Sequence, residues 1–201
     1  MRCFGEGDPL YAAYHDLEWG RPVRDERGLF EHLCLEGFQA GLSWRLVLER
    51  RPFLRRAFRG FDLEAVAALG TEDIAAILET PGVIRHRGKV EAAVGNARAT
   101  LALHGLGTTL VDLVWAHRPA GGGRRDWPPS ATTPEATALA RSLRRSGFRF
   151  IGPTTAYALM QACGVVNDHG PDCPVRGEVE AARRALDGGW CRNRRAGDIR
   201  V

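Results

Sequence analysis

The chain has 201 residues, 44% of them hydrophobic, and carries a formal net charge of +4. That length suits one domain, or one domain with a small second lobe, and the apolar fraction supports a packed core, which excludes a globally disordered chain. No apolar run approaches the roughly 20 residues of a membrane helix, and the opening Met1-Arg2-Cys3-Phe4-Gly5 lacks the apolar stretch of a secretory signal, so a chain with no membrane partner and a reducing, cytoplasmic setting are expected.

Helical signals follow one another along the chain. Glu26 to Gly41 carries Leu29, Phe30, Leu33 and Cys34 at helical spacing. Asp62 to Gly70 reads as an N-cap, an amphipathic body and a glycine stop. Thr71-Glu72-Asp73 starts the next helix with a cap and acids in its first turn. Arg85 to Leu103 is long and alanine-rich, and Thr108 or Thr109 caps a short helix through Ala116. Arg118 to Ser130, with three consecutive glycines and Pro128-Pro129, reads as a surface loop. Thr133-Pro134-Glu135 opens a further helix with proline at its first position. Thr154 to Gly164 is an apolar helix, Val175 to Leu186 a last one, and Arg192 to Val201 a frayed basic tail. Nothing alternates like a strand and no repeat is present. The expected fold class is all-α.

Arginine supplies nearly all the positive charge, because Lys89 is the only lysine. Such a balance is compatible with a polyanionic partner without requiring one. The five cysteines are odd in number and irregular in spacing, which argues against a disulfide framework and leaves metal binding open. His169 and Cys173 are separated by three residues, a common zinc spacing, and Cys3 with His15 supplies another half. Either pair alone is a frequent coincidence. Together they make a closed Cys2His2 set, structural in kind because no position is left for water, that would tie the two ends of the chain. A zinc deaminase is the rival metal reading, but its His-x-Glu and Pro-Cys-x-x-Cys motifs are absent.

Leu29, Leu33 and Glu36 fall at i, i+4 and i+7, which puts Glu36 on the apolar face of its helix. A carboxylate there is costly without partners. Either it forms an internal salt bridge, or it belongs to a binding site. Tyr11, Tyr14, Trp19 and Trp44 lie in the same third of the chain. They are ordinary core, or they wall a pocket in which rings stack on a flat cationic base while the carboxylate offsets its charge. Gly41-Leu42 is a helix stop or a wedge for a base step. Phe148 to Ala156, containing Gly152-Pro153-Thr154-Thr155, is a plain interhelical turn or a hairpin whose helix N-terminus grips phosphate, with the threonines as caps. Thr80 to Lys89 is a second hairpin-like stretch. Lys89 within it reads as solvated, a poor candidate for Schiff-base chemistry.

These residues carry a resemblance. Asp8 to Tyr11, Tyr14 to Gly20, Cys34 to Trp44, Ile84 to Lys89, Gly95 to Arg98, Phe150 to Thr155 and Met160 to His169 stand in the order of the 3-methyladenine DNA glycosylase I family, of the helix-hairpin-helix superfamily. The likeness spans residues 3 to 173, more loosely over 104 to 147. It implies a two-lobed helical glycosylase domain over 1–175, followed by a C-terminal helix and basic tail over 176–201. It implies a monomer that binds double-stranded alkylated DNA, flips the nucleotide and hydrolyses the glycosidic bond of N3-methyladenine, with N3-methylguanine as a further substrate, without a lyase step. Glu36 is implied as the catalytic pocket carboxylate. Tyr14 and Trp44 stack on the base, with Tyr11 and Trp19 beside them. Gln39, Gly41 and Leu42 contact the DNA at the gap, and Gly152, Thr154 and Thr155 hold the backbone. Cys3, His15, His169 and Cys173 are implied to bind structural Zn2+. Phe4, Gly5 and Phe38 depart from the family pattern, which opens a second reading as a glycosylase for bulkier alkyl adducts. A non-catalytic DNA-binding module would keep the hairpin and zinc set without a buried Glu36. A purely structural zinc protein leaves Glu36 unexplained. Asp168 is the local candidate for the catalytic aspartate of many superfamily relatives, and the family resemblance argues against it.

Overall fold

The computed structural model describes residues 1–120 and 127–193. Among these residues there are ten α-helices, a short 3-10 turn and no strand: α1 (Pro9–Leu17), α2 (Glu26–Gln39), α3 (Trp44–Ala57), the turn Arg59–Phe61, α4 (Leu63–Ala67), α5 (Thr71–Glu79), α6 (Arg87–Gly105), α7 (Leu110–Trp115), α8 (Pro134–Arg145), α9 (Pro153–Ala162) and α10 (Arg176–Asn193). The all-α expectation holds. Positions 121–126 of the expected loop and 194–201 of the expected tail lie outside the described residues.

α2 is the axis of the molecule. Ten consecutive residues, Leu29 to Phe38, are buried, so this helix has no solvent face in its middle, whereas the sequence pattern suggests a single apolar stripe. The extra polar residues this buries are handled locally. Glu31 accepts from Arg51 (2.6 Å) and Arg55 (2.8 Å), and Arg51 also reaches Glu18 (2.5 Å). Burial lowers the His32 pKa to about 4, which keeps its ring neutral. The core around α2 is one cluster that includes Phe58, Phe61, Val90, Leu110, Leu139, Ala156 and Met160.

Two helices do not show in the sequence pattern. α1 has Asp8 as its N-cap, accepting from the amides of Leu10 and Tyr11, with Pro9 at its first turn. α3 is capped by Ser43 and contains Pro52 in its interior. Elsewhere the caps refine the sequence reading. Thr71 is not a cap: Gly70 holds that position and its N–H donates to Asp73 (2.9 Å). His86 caps α6, and Thr109, not Thr108, caps α7. α10 runs beyond the expected Leu186. It is anchored by Arg183, fully buried, which donates to the carbonyls of Gly164 and Val165 (both 2.8 Å) and pairs with Glu180 (2.9 Å).

The turn between α8 and α9 is tied to the long helix α6. Asn96, 3% exposed, donates to the Arg149 carbonyl (3.2 Å) and accepts from the Arg149 amide (2.8 Å). Those two bonds satisfy both main-chain groups of Arg149 from the buried Asn96 side chain, and truncation would remove both. Asn96→Ala is expected to lower the free energy of unfolding by about 1–3 kcal/mol, read as a lower urea midpoint at unchanged slope.

Candidate functional site

A cleft of about 300 Å³ opens between α1, α2, α3 and α9, lined by Phe4, Tyr11, Tyr14, Trp19, Glu36, Gln39, Trp44, Ala158 and Gln161. Each wall has a local origin. The burial of α2 carries Glu36 inward to 5% exposure at the cleft floor. α1 places Tyr11 and Tyr14 three residues apart on one face. Ser43 starts α3 immediately before Trp44, so that ring faces Tyr14 at 5.3 Å between centroids and 52° between planes. Phe4 packs edge-on against Tyr11 (5.8 Å) and Trp19 (5.0 Å), completing the aromatic wall.

Among the described residues the Glu36 carboxylate has neither a hydrogen-bond donor nor a counter-charge. Burial alone raises its pKa from 4.5 to about 8. Tyr14 is raised as well, by burial and then by the neighbouring Glu36. The Trp44 indole Nε1 is buried without a partner. A desolvated acid facing aromatic rings in a solvent-reaching slot is an arrangement that receives a flat cation. The salt-bridge alternative for Glu36 is not what the structure contains.

Apart from the Cys/His set, the sequence-predicted residues fall into three groups. Tyr11, Tyr14, Trp19, Glu36, Gln39 and Trp44 all line the cleft. Gly41 and Leu42 lie on the α2–α3 turn, between the cleft residues Gln39 and Trp44 in the chain. Gly41 is at φ +78°, a left-handed conformation natural to glycine, and Leu42 is 36% exposed. Gly152, Thr154 and Thr155 lie at the start of α9. Gly152 is the N-cap and the threonines do not cap with their side chains, a correction to the sequence reading. Their amides are left pointing out of the helix end, where the helix dipole is positive.

Lys89 also departs from expectation. It is 6% exposed and its ammonium donates to the carbonyls of Phe38 (2.9 Å) and Ala40 (2.5 Å). It therefore caps the C-terminus of α2 and shapes the turn bearing Gly41 and Leu42. Burial lowers its pKa. Phe38 is not a cleft residue: it is buried against Phe58 at 5.8 Å. Asp168, 5% exposed, faces α9, accepting from the Tyr157 hydroxyl and from Gln161 (2.9 Å), and is absent from the cleft lining. Sequence reasoning gave no role to Gln161 or Ala158.

Cys3, His15, His169 and Cys173 come together beside this cleft, with one donor atom from each within 4.8 Å of the others. His15 presents Nε2 to the Cys173 sulfur (3.4 Å), and His169 presents Nδ1 to the sulfurs of Cys173 (3.2 Å) and Cys3 (3.7 Å). Such separations match the edges of a tetrahedron around one small cation. The opposite ring nitrogens are held outside: His15 Nδ1 by Asp16 (2.8 Å), His169 Nε2 by the Trp19 carbonyl (3.0 Å). That pattern fixes ring orientation in metal centres. Burial lowers the His169 pKa to about 4, keeping it neutral as a ligand must be. Trp19 thus touches both sites, stacking near His15 (6.0 Å, 26°) while lining the cleft.

The described residues form helices and no strand, and the sequence matches a known family. Residues 4–176 match the family model described as methyladenine glycosylase, and the chain belongs to that family. It is 47% identical over 170 residues to DNA-3-methyladenine glycosylase 1 of Escherichia coli (strain K12), covering 83% of this chain and 91% of the relative. Among solved structures it resembles a 3-methyladenine DNA glycosylase I at TM-score 0.82 and 46% identity, covering 87% of this chain and 98% of that one. It also resembles the Staphylococcus aureus 3-methyladenine DNA glycosylase I, solved to explain 3-methyladenine recognition, at TM-score 0.80 and 32% identity, covering 85% and 93%.

The raised Glu36 pKa has a consequence for stability. The folded state holds this proton more tightly than the unfolded chain, so stability falls as pH rises from 4.5 toward 8. Glu36→Gln removes that slope. The variant is expected to gain stability over wild type, on the order of a few kcal/mol by pH 8, while matching it near pH 4, as measured by denaturant melts across pH.

Proposed function

We propose that this protein is a monofunctional DNA glycosylase that hydrolyses the N-glycosidic bond of N3-methyladenine in double-stranded alkylated DNA. The observation that carries the proposal is the unpartnered, desolvated Glu36 at the floor of an aromatic cleft. Family membership supplies the reaction class.

N3-methylation leaves a positive charge on adenine and weakens its bond to the sugar. The target nucleotide must leave the stack, which costs a few kcal/mol. Leu42 on its glycine-hinged turn fills the gap, and Gln39 stands beside it. The exposed start of α9, at Gly152, Thr154 and Thr155, takes a backbone phosphate through its amides. We read α8, the Asn96-braced turn and α9 as a helix-hairpin-helix, with the two lobes of that fold meeting at the cleft. In the cleft the base stacks on the wall formed by Tyr14 and Trp44, whose rings already touch at 5.3 Å, with Tyr11, Trp19 and Phe4 around its edge. Stacking returns about 1–3 kcal/mol.

Glu36 then distinguishes a cation from a neutral purine. In the empty cleft its proton is held up to about pH 8. A cationic base draws the carboxylate into its charged form, so the alkylated base is bound against its own counter-ion in a dry site, where that attraction is strong. The glycosidic bond breaks with its electron pair passing to the purine nitrogen, which neutralises the base. Water adds to the sugar C1′ and loses a proton, leaving an abasic site. Lys89 is pinned on two carbonyls 49 and 51 residues upstream and offers no free amine for a lyase step.

Cys3, His15, His169 and Cys173 would hold a structural Zn2+ that joins the N-terminal segment to the segment after α9. A closed tetrahedral set supplies no catalytic water. Its role is to fix Trp19 and hence one wall of the cleft. The domain boundary near 175, a monomeric state and a cytoplasmic location complete the reading.

Incubation with methylated DNA followed by chromatography of released bases tests the function. Wild type is expected to liberate 3-methyladenine, and Glu36→Gln to do so about 100-fold more slowly. Absence of any released base from wild type would sink the assignment in favour of a binding module. Metal analysis is expected to find one zinc per chain. Its removal by a chelator, or Cys173→Ser, should lower the melting temperature by several degrees.

A further inference from the structure

Gln161 and Asp168 form an arrangement that the mechanism above does not use. Gln161 is one helical turn beyond Tyr157 on α9, and its side chain lines the cleft. The chain turns back after α9 through Gly164, at φ +70°, and returns Asp168 to the same face. There the Asp168 Oδ2 accepts from both the Tyr157 hydroxyl and the Gln161 Nε2, the latter at 2.9 Å. A carboxylate is an acceptor, so it can hold only the amide nitrogen of Gln161. The amide is thereby prevented from turning over. Its carbonyl Oε1 has no partner among the described residues and is the end left to the cleft.

A glutamine free to rotate would offer a donor or an acceptor with equal ease. A clamped one keeps its Oε1 in a fixed place, with one of the two Nε2 hydrogens committed to Asp168. Adenine and its alkylated forms carry a 6-amino group with two hydrogens, whereas guanine carries a 6-oxo group that meets an acceptor with repulsion. A buried polar group that is matched by one ligand and opposed by another discriminates strongly between them.

We propose that Gln161 is a specificity-determining residue that selects 6-amino over 6-oxo N3-alkylpurines by accepting from the exocyclic amine, and that Asp168 is the positioning residue that fixes its amide. This rests on the glycosylase reading, and the test separates the two. DNA treated with a simple methylating agent contains both 3-methyladenine and 3-methylguanine. Rates of release of each are measured with wild type, Gln161→Met and Asp168→Asn, alongside zinc content and kcat against KM.

Met keeps the volume of Gln161 and removes the acceptor, so 3-methyladenine release is expected to fall about tenfold while 3-methylguanine release does not. Asn at position 168 can donate to Oε1, which lets the Gln161 amide turn over and present its N–H groups. The ratio of 3-methyladenine to 3-methylguanine should then fall in the same direction. A merely structural role would lower both rates together and leave the ratio unchanged. If wild type releases 3-methyladenine and Gln161→Met keeps the wild-type ratio within about twofold, the proposal is overturned and the glycosylase reading stands. If Gln161→Met shifts the ratio and well-folded, zinc-replete Asp168→Asn does not, the positioning role of Asp168 is overturned. Should Asp168→Asn fail to fold, Gln161→Met alone decides the specificity role and Tyr157→Phe, which leaves the Asp168–Gln161 bond in place, is expected to keep the ratio.

Discussion

A buried carboxylate at the floor of an aromatic cleft, with no counter-charge among the described residues, is the constraint around which the molecule is arranged. Glu36 could gain solvation or an ion pair through small changes, yet arginines lie only one turn away and serve Glu31 instead. Two acids on the same helix, five residues apart, therefore meet opposite fates. Glu31 is neutralised by Arg51 and Arg55, with its pKa held below the ordinary glutamate value, while Glu36 is left to burial and rises to about 8. The difference is geometric. α3 runs alongside the first half of α2 with its guanidiniums, but at the second half it begins with Trp44, whose ring closes the space where another arginine would reach.

The aromatic walls depend in turn on contacts made outside the cleft. His169 donates to the Trp19 carbonyl while its other nitrogen faces the two sulfurs, so the four-residue cluster and the cleft share one backbone segment. Asn96 performs the corresponding task for the α8–α9 turn, and Lys89 for the end of α2. Each is a buried polar side chain that satisfies main-chain groups of another segment. Together they hold the α2–α3 turn, the floor and the α9 start in a fixed relation without any of the three lining the cleft.

How much of this was legible in the sequence follows from the range over which each contact acts. The inward placement of Glu36 is a local property of one helix, and i, i+4, i+7 spacing from Leu29 reveals it. The His169–Cys173 pair is legible for the same reason. The partnership of Cys3 with His15 rested on type and count, because its loop of eleven intervening residues is no standard ligand spacing. α3 was hidden by its polarity: Arg45, Arg50, Arg51, Arg55 and Arg56 break the apolar rhythm, and Pro52 suggests an end where the helix continues. Lys89 was misread as solvated because its flanks are basic and glycine-bearing, while its acceptors lie about fifty residues earlier in the chain. Gln161 stands in a family motif but has no role legible there, since its significance appears only when the chain reverses and brings Asp168 back beside α9.

The burial of Lys89 also decides what kind of chemistry the outside of the protein presents. Every other basic side chain is a guanidinium or an imidazole. Guanidinium groups stay protonated throughout the pH range in which proteins fold, and they are poor targets for acylation. The attraction of this surface for a polyanion therefore cannot be tuned by lysine acetylation, and amine-directed cross-linkers or fluorophores will find no exposed side chain on which to react.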